Sequence, residues 1–206
     1  MSDELAWIQA AQKGDLEAFN QLVLASQDAV YHVAYRILGE RAAAEDATQE
    51  AFLKAWQAIG RYRGGSWRAW LFRIVTNVCY DHLRRRKRRP TVPLEPADSD
   101  GEAVESPAWL ADTDPSGDPE AQAERTALRQ ALEACLQQLP PEHRAVVVLI
   151  DMEGFAYAEA AHALGVRLGT LKSRLARARL RMQRCLQRFP ELLGVFARLK
   201  HGDASQ

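Results

Sequence analysis

The chain is short of cysteine, of long apolar runs, of strand signals and of any clustered metal-ligating side chains, and each shortage excludes a class of protein. Three cysteines, Cys79, Cys135 and Cys185, occur in 206 residues. They stand far apart with no Cys-x-x-Cys pair, so the sequence suggests neither a disulfide framework nor a zinc clip, and a reducing cytoplasm is the expected compartment. The longest uninterrupted apolar run, Ala145 to Ile150, is far below the roughly 20 residues that a membrane span needs. The N-terminus is acidic rather than basic and then apolar, which argues against a secretory signal. Direct membrane insertion is therefore not expected. His32, His82, His143, His162 and His201 form no cluster. No His-Glu-x-x-His, phosphate-binding glycine loop or Cys/His ligand set is present, so no cofactor, no metal and no covalent chemistry is expected, even though Asp46 and Glu50 stand one turn apart and His32 could be enlisted with them.

What is present is charge, equal in total and unequal in place. The 27 Lys/Arg balance 27 Asp/Glu. Yet Arg61 to Arg89 holds ten Lys/Arg against one acid, Asp81, and Arg167 to Arg188 holds eight with no acid. Between these blocks, Pro90 to Glu124 carries ten Asp/Glu, no Lys/Arg and repeated prolines. Such a segment is too polar and too broken to pack a core, and reads as a solvated linker. The implied order is a module at 1–89, a linker at 90–120, a second module at 121–189 and a tail at 190–206.

Apolar residues recur at helical spacing in both modules, so the fold class is all-α, two small helical domains on a flexible acidic linker. The first module reads as helices over Leu5 to Gln12, Asp15 to Leu38, Arg41 to Ile59, and one that Ser66 caps. On the third, Phe52, Ala55, Trp56 and Ile59 make a core-facing stripe, and Asp46, Gln49, Glu50 and Leu53 share another face. On the fourth, Trp67, Trp70, Leu71, Ile74 and Val78 repeat as a buried stripe. At about 100° per residue, Arg73, Asn77, Tyr80 and Arg84 fall in one arc outside it. Cations for phosphates, an aromatic ring for stacking and an amide for a base edge suit single-stranded or melted nucleic acid. A solvated basic helix end is the plainer alternative.

The second module reads as helices over Pro119 to Gln138, Glu142 to Met152, Tyr157 to Leu164 and Thr170 to Phe189. The connection Gly165-Val166-Arg167-Leu168-Gly169 has the length and glycine content of a helix-turn-helix. In the last helix Leu171, Leu175, Ala178, Met182 and Cys185 form the buried stripe, with arginines on both flanks. Thr170, Lys172, Ser173 and Arg174 at its N-terminal end would reach base edges in a major groove. The tail carries Leu192, Leu193, Val195, Phe196 and Leu199 and reads as a short amphipathic helix.

Three ordered segments carry a family resemblance. The first is Ala44-Glu45-Asp46-Ala47-Thr48-Gln49-Glu50-Ala51-Phe52-Leu53-Lys54-Ala55-Trp56. The second runs from Arg63-Gly64-Gly65-Ser66-Trp67-Arg68-Ala69-Trp70-Leu71 through Asn77 to Arg84-Arg85. The third comprises Leu139-Pro140-Pro141-Glu142-His143-Arg144, Glu153-Gly154-Phe155-Ala156-Tyr157 and Gly165 to Leu175. Together they resemble regions 2 and 4 of an extracytoplasmic-function (ECF) sigma factor of the sigma-70 family. The resemblance implies a factor that binds core RNA polymerase, directs it to promoters and helps melt DNA. It implies that Asp46, Gln49, Glu50 and Leu53 face the β′ clamp helices, and that the second module rests on the β flap. It implies capture of the −10 element by Arg63, Gly64, Gly65, Ser66 and Trp67 with Arg73, Asn77, Tyr80, Arg84 and Arg85. The −35 element would fall to Arg167, Gly169, Thr170, Lys172, Ser173, Arg174 and Arg177. It further implies an anti-sigma factor as regulator. The chain departs from the family pattern at Gly65, where an acid is common, and at Ala160, where a branched aliphatic is usual. A free-standing helix-turn-helix regulator is the rival, and it leaves the first module and the linker without a role.

Overall fold

A computed structural model describes residues 2–88 and 119–189; most of the acidic linker and the whole C-terminal tail lie outside the described residues. The described chain is helical: α1 Ser2–Ala11, α2 Leu16–Leu38, α3 Arg41–Ala58, a 3-10 turn Ile59–Arg61, α4 Trp67–Arg88, α5 Pro119–Gln137, α6 Pro141–Val147, a π turn Val148–Met152, α7 Tyr157–Leu164 and α8 Leu168–Leu186.

Local chemistry sets the helix ends. The Asp15 carboxylate accepts from the Ala18 amide and starts α2. Gly39, at φ 76°, ends it in the left-handed conformation that glycine adopts without a Cβ penalty. Pro141 opens α6, where the missing N–H costs nothing. The helix expected to run on to Met152 instead widens into the π turn. There the Glu153 amide reaches back to the Val148 carbonyl, and the turn aims Glu153 and Phe155 at α4.

Helices α2, α3 and α4 form a bundle that α1 closes, and α6, α7 and α8 form the helix-turn-helix unit, with α5 lying against α8. The buried ridge of α3 differs from the expected stripe. Ala44, Ala47, Ala51 and Ala55 are fully buried while Phe52 and Trp56 are half-buried, because small side chains let α3 lie close to α2 and α4. On α4 burial extends past the expected stripe to Ala69, Phe72, Val75 and Cys79. The reason is a second partner: α7 packs on α4, and α6 on α2, so the two modules share one contiguous core.

Polar groups finish that junction. Glu153 takes Arg36 at 3.0 Å and Arg68 at 2.6 Å, both from the first module. The Arg68 guanidinium also lies over the stacked rings of Phe72 and Phe155. Arg144, only 7% exposed, donates to the carbonyls of Leu136, Gln137 and Leu139 at the end of α5 and of Ile37 at the end of α2. One cation thus caps the negative ends of two helices, one in each module.

One expectation fails in the second module. Cys135 and Cys185 are joined in a disulfide, with Cα atoms 5.7 Å apart on α5 and α8. Each lies on the inward face of its helix, so packing brings together two residues that are 50 positions apart in sequence.

Candidate nucleic-acid interface

The loop between the 3-10 turn and α4 is held from below and open above. Tyr62 is buried, its hydroxyl donates to the Gly65 carbonyl at 2.7 Å, and its ring packs edge-on against Trp67 and Trp70. The Gln12 side-chain amide, just past the end of α1, donates to the carbonyls of Ile59 and Tyr62. Gly64 and Gly65 sit at φ 92° and 95°, where a side chain would strain the backbone. The Ser66 hydroxyl accepts from the Ala69 amide and caps α4 as the sequence leads one to expect. Arg63, Gly64, Gly65 and Ser66 are all exposed, and Arg63 steadies itself on the Gly60 carbonyl.

Two aromatic side chains depart from the expected DNA face. Trp67 is 4% exposed within the Tyr62–Trp70 cage, so it shapes the loop and its ring does not meet solvent. Tyr80 is half-buried against the second module near Arg174 and Glu142, because α4 carries α7 and its neighbours on that side. Burial pushes the Tyr80 phenol up, so it stays protonated as a hydrogen-bond donor at neutral pH. Arg73, Asn77, Arg84 and Arg85 remain exposed along α4, with Arg84 paired to Asp81 and Arg85 within 3.8 Å of Glu50.

On α3, Asp46 and Gln49 are exposed, and Leu53 is 64% exposed, an apolar side chain with no core to fill. Glu50 is differently placed from its neighbours. It bonds Lys54 at 2.8 Å and His82 at 3.0 Å, and these two partners hold its carboxyl below the usual carboxylate range. The α3 face therefore joins the basic end of α4 through Glu50.

The N-terminus of α8 stands clear of the body. Arg167, Gly169, Thr170, Lys172, Ser173 and Arg177 are exposed, while Leu171, Leu175 and Ala178 anchor the helix beneath them. Gly165 ends α7 at φ 63° and makes the tight turn between the two helices. Arg174 is half-buried at the side facing Tyr80. Arg179, on the other flank, is taken by Asp151 and braces the π turn. Among the described residues no group of three or more His, Cys, Asp or Glu could hold a metal, and no helix is long and apolar enough to cross a membrane.

Two basic helix faces, one beside an exposed glycine loop and one at the tip of a helix-turn-helix, make a two-part candidate for nucleic-acid binding. Residues 22–89 match the family model for sigma-70 region 2, and residues 129–182 match that for sigma-70 region 4. The ECF RNA polymerase sigma factor SigM of Mycobacterium tuberculosis is 40% identical over 174 residues, 84% of this chain and 79% of that one. The chain belongs to the ECF sigma factors. This sigma factor is also 39% identical to SigE of Mycolicibacterium smegmatis, over 82% of its own length and 61% of the relative's. Among solved structures it is similar to the sigma factor RpoE of Bartonella quintana in complex with the anti-sigma factor NepR. That likeness has a TM-score of 0.63 and 32% identity, and covers 84% of this chain and 98% of the other.

The junction residues Arg36, Arg68, Arg144 and Glu153 escape a reading of the sequence, because a buried arginine and a surface arginine look alike in a string. Arg68, Arg144 and Glu153 do stand inside the three segments that carry the family resemblance.

Proposed function

We propose that this chain binds core RNA polymerase through the α3 face, directs it to promoters and helps open them, acting in the cytoplasm as a DNA-recognition subunit while the polymerase performs the chemistry. The observation that carries this reading is the exposed glycine loop of Arg63–Ser66 fixed on its aromatic cage at the start of α4, the helix that also presents the exposed Asn77. Exposed backbone and an amide on a rigid support suit a base removed from the stack. Binding it there offsets the few kcal/mol that flipping costs. Trp67 acts as a positioning residue, and Arg73, Arg84 and Arg85 supply charge for the separated strand's backbone.

Helix α8 reads intact duplex. Its N-terminal Thr170, Lys172 and Ser173 face base edges while Arg167 and Arg177 hold phosphates. Asp46, Gln49 and the bare Leu53 supply a polar-rimmed apolar contact for the clamp helices of the polymerase. An anti-sigma factor is the regulator this reading expects, since RpoE of Bartonella quintana is held by NepR.

Transcription by purified core polymerase on a pooled promoter library, with and without the chain, tests the reading. Addition is expected to create starts that share two spaced upstream elements. No new starts, together with tight duplex binding without polymerase, would turn the reading to a free-standing regulator.

A further inference from the structure

The cysteine pair has no part in promoter recognition, yet its surroundings are those of reactive thiols. Cys135 is 1% exposed and Cys185 is 8% exposed, and both open onto a cavity of about 280 Å³. Arg181, Arg184 and Arg188 line that cavity, and no Asp or Glu does. Arg181 lies four residues before Cys185, a spacing that shares a face of α8, and Arg188 joins it from the turn just past the helix end. Such a cationic pocket favours thiolate over thiol, and the thiolate is the nucleophile. The third cysteine has the opposite environment. Cys79 is buried among apolar side chains in the first module, and burial pushes its thiol up to about 12. The chain thus holds one poised pair and one inert thiol. Cysteines with Cα atoms 5.7 Å apart need no backbone movement to bond. In a reducing compartment, a pair so placed is reduced at rest and bonded after oxidation.

We propose that Cys135 and Cys185 are a peroxide-responsive dithiol that fastens α5 to α8. Cys185, the more exposed of the two, attacks hydrogen peroxide as thiolate, becomes a sulfenic acid and releases one water once the leaving hydroxide is protonated. The Cys135 thiolate then displaces hydroxide from that sulfur, which leaves as the second water when protonated. Two thiols and one peroxide become one disulfide and two waters, with two electrons passing from sulfur to oxygen. The bond lies far from the DNA-reading end of α8. Fifteen residues separate Thr170 from Cys185, about 22 Å along a helix. Oxidation therefore clamps the second module shut around its helix-turn-helix and leaves the reading residues in place.

The test uses the full chain, fully reduced and then exposed to submillimolar hydrogen peroxide under native conditions, with free thiols blocked before digestion and peptide mapping. A crosslinked peptide joining Cys135 to Cys185, with Cys79 still free, is the expected product. In Cys135→Ser, dimedone is expected to trap a sulfenic acid on Cys185 alone. Arg181→Gln is expected to slow bond formation at least threefold by weakening the thiolate. The oxidised wild type is expected to melt several degrees above the reduced form, a gap that vanishes in Cys135→Ser. Oxidation of Cys79 first, a bond that forms only in denaturant, or thiols that survive the peroxide would each overturn the proposal, and none of these outcomes depends on the variants folding.

Discussion

Arg144 shows how one side chain can serve two helix ends. Burial pushes its guanidinium below its ordinary value, and the four carbonyls around it are what keep a charge tolerable there. Arg144→Leu is expected to cost about 3 kcal/mol, because carbonyls at the ends of α2 and α5 lose their donor; a lower urea midpoint would show it. Arg144→Lys should recover about half, since an ammonium keeps the charge and loses the planar fork. Glu50 carries a pH dependence of defined sign. Its folded pKa lies below the unfolded value of 4.5, so its stabilising effect is present above that pH and fades as pH falls through the lower folded value. Glu50→Gln should remove about 0.5 kcal/mol of stability at pH 7 and flatten that part of an acid titration.

At the scale of elements, α8 divides along its length. Its N-terminal polar residues are exposed, Leu171, Leu175 and Ala178 anchor it beneath them, and its end is tied to α5 through Cys185. Closing a loop of 50 residues is worth about 4 kcal/mol in the chain-entropy account, more than the small α5 contact with Leu128 and Ala131 would be expected to supply. Lys172→Ala and Arg177→Ala should weaken binding of the polymerase complex to promoters. Arg177→Ala, a loss of phosphate contact, should lower the slope of log affinity against log salt by about 1 for every sequence alike. Lys172→Ala should instead relax preference at one −35 position; equal slopes and equal preferences in both variants would contradict the division.

For the molecule as a whole, the junction between modules is where α7 packs on α4 and α6 on α2 over one contiguous core. Tyr80 and Arg174 face one another across it, so neither side is fully free while the modules are closed. Glu153 is one point where the closure depends on charge, since it joins Arg36 and Arg68. Glu153→Ala should loosen the junction, raising the radius of gyration in small-angle scattering and the rate at which Tyr80 takes up a surface label; an unchanged profile would show that Phe72, Phe155 and Arg144 close the modules by themselves.

The helical class, the order of regions 2 and 4 and the two exposed basic segments were legible in the sequence, because periodicity, glycine positions and charge runs are written locally. The half-burial of Tyr80 was not legible there, because helical spacing names a face and not what covers it. Residues 44, 47 and 51 were passed over as a ridge because alanine gives a weak apolar signal, whereas close helix approach rewards its small size. Which cysteines would meet was equally hidden, since it depends on the packing of α5 on α8 across 50 intervening residues. By itself, then, the sequence determined the helices, their caps, the glycine loop and the basic faces, all set by neighbours within a few turns. Only the tertiary structure decided that the modules close on Glu153 and Arg144, that Tyr80 is half-hidden, and that two cysteines bond, because long-range contact depends on which surfaces bury one another and not on local spacing.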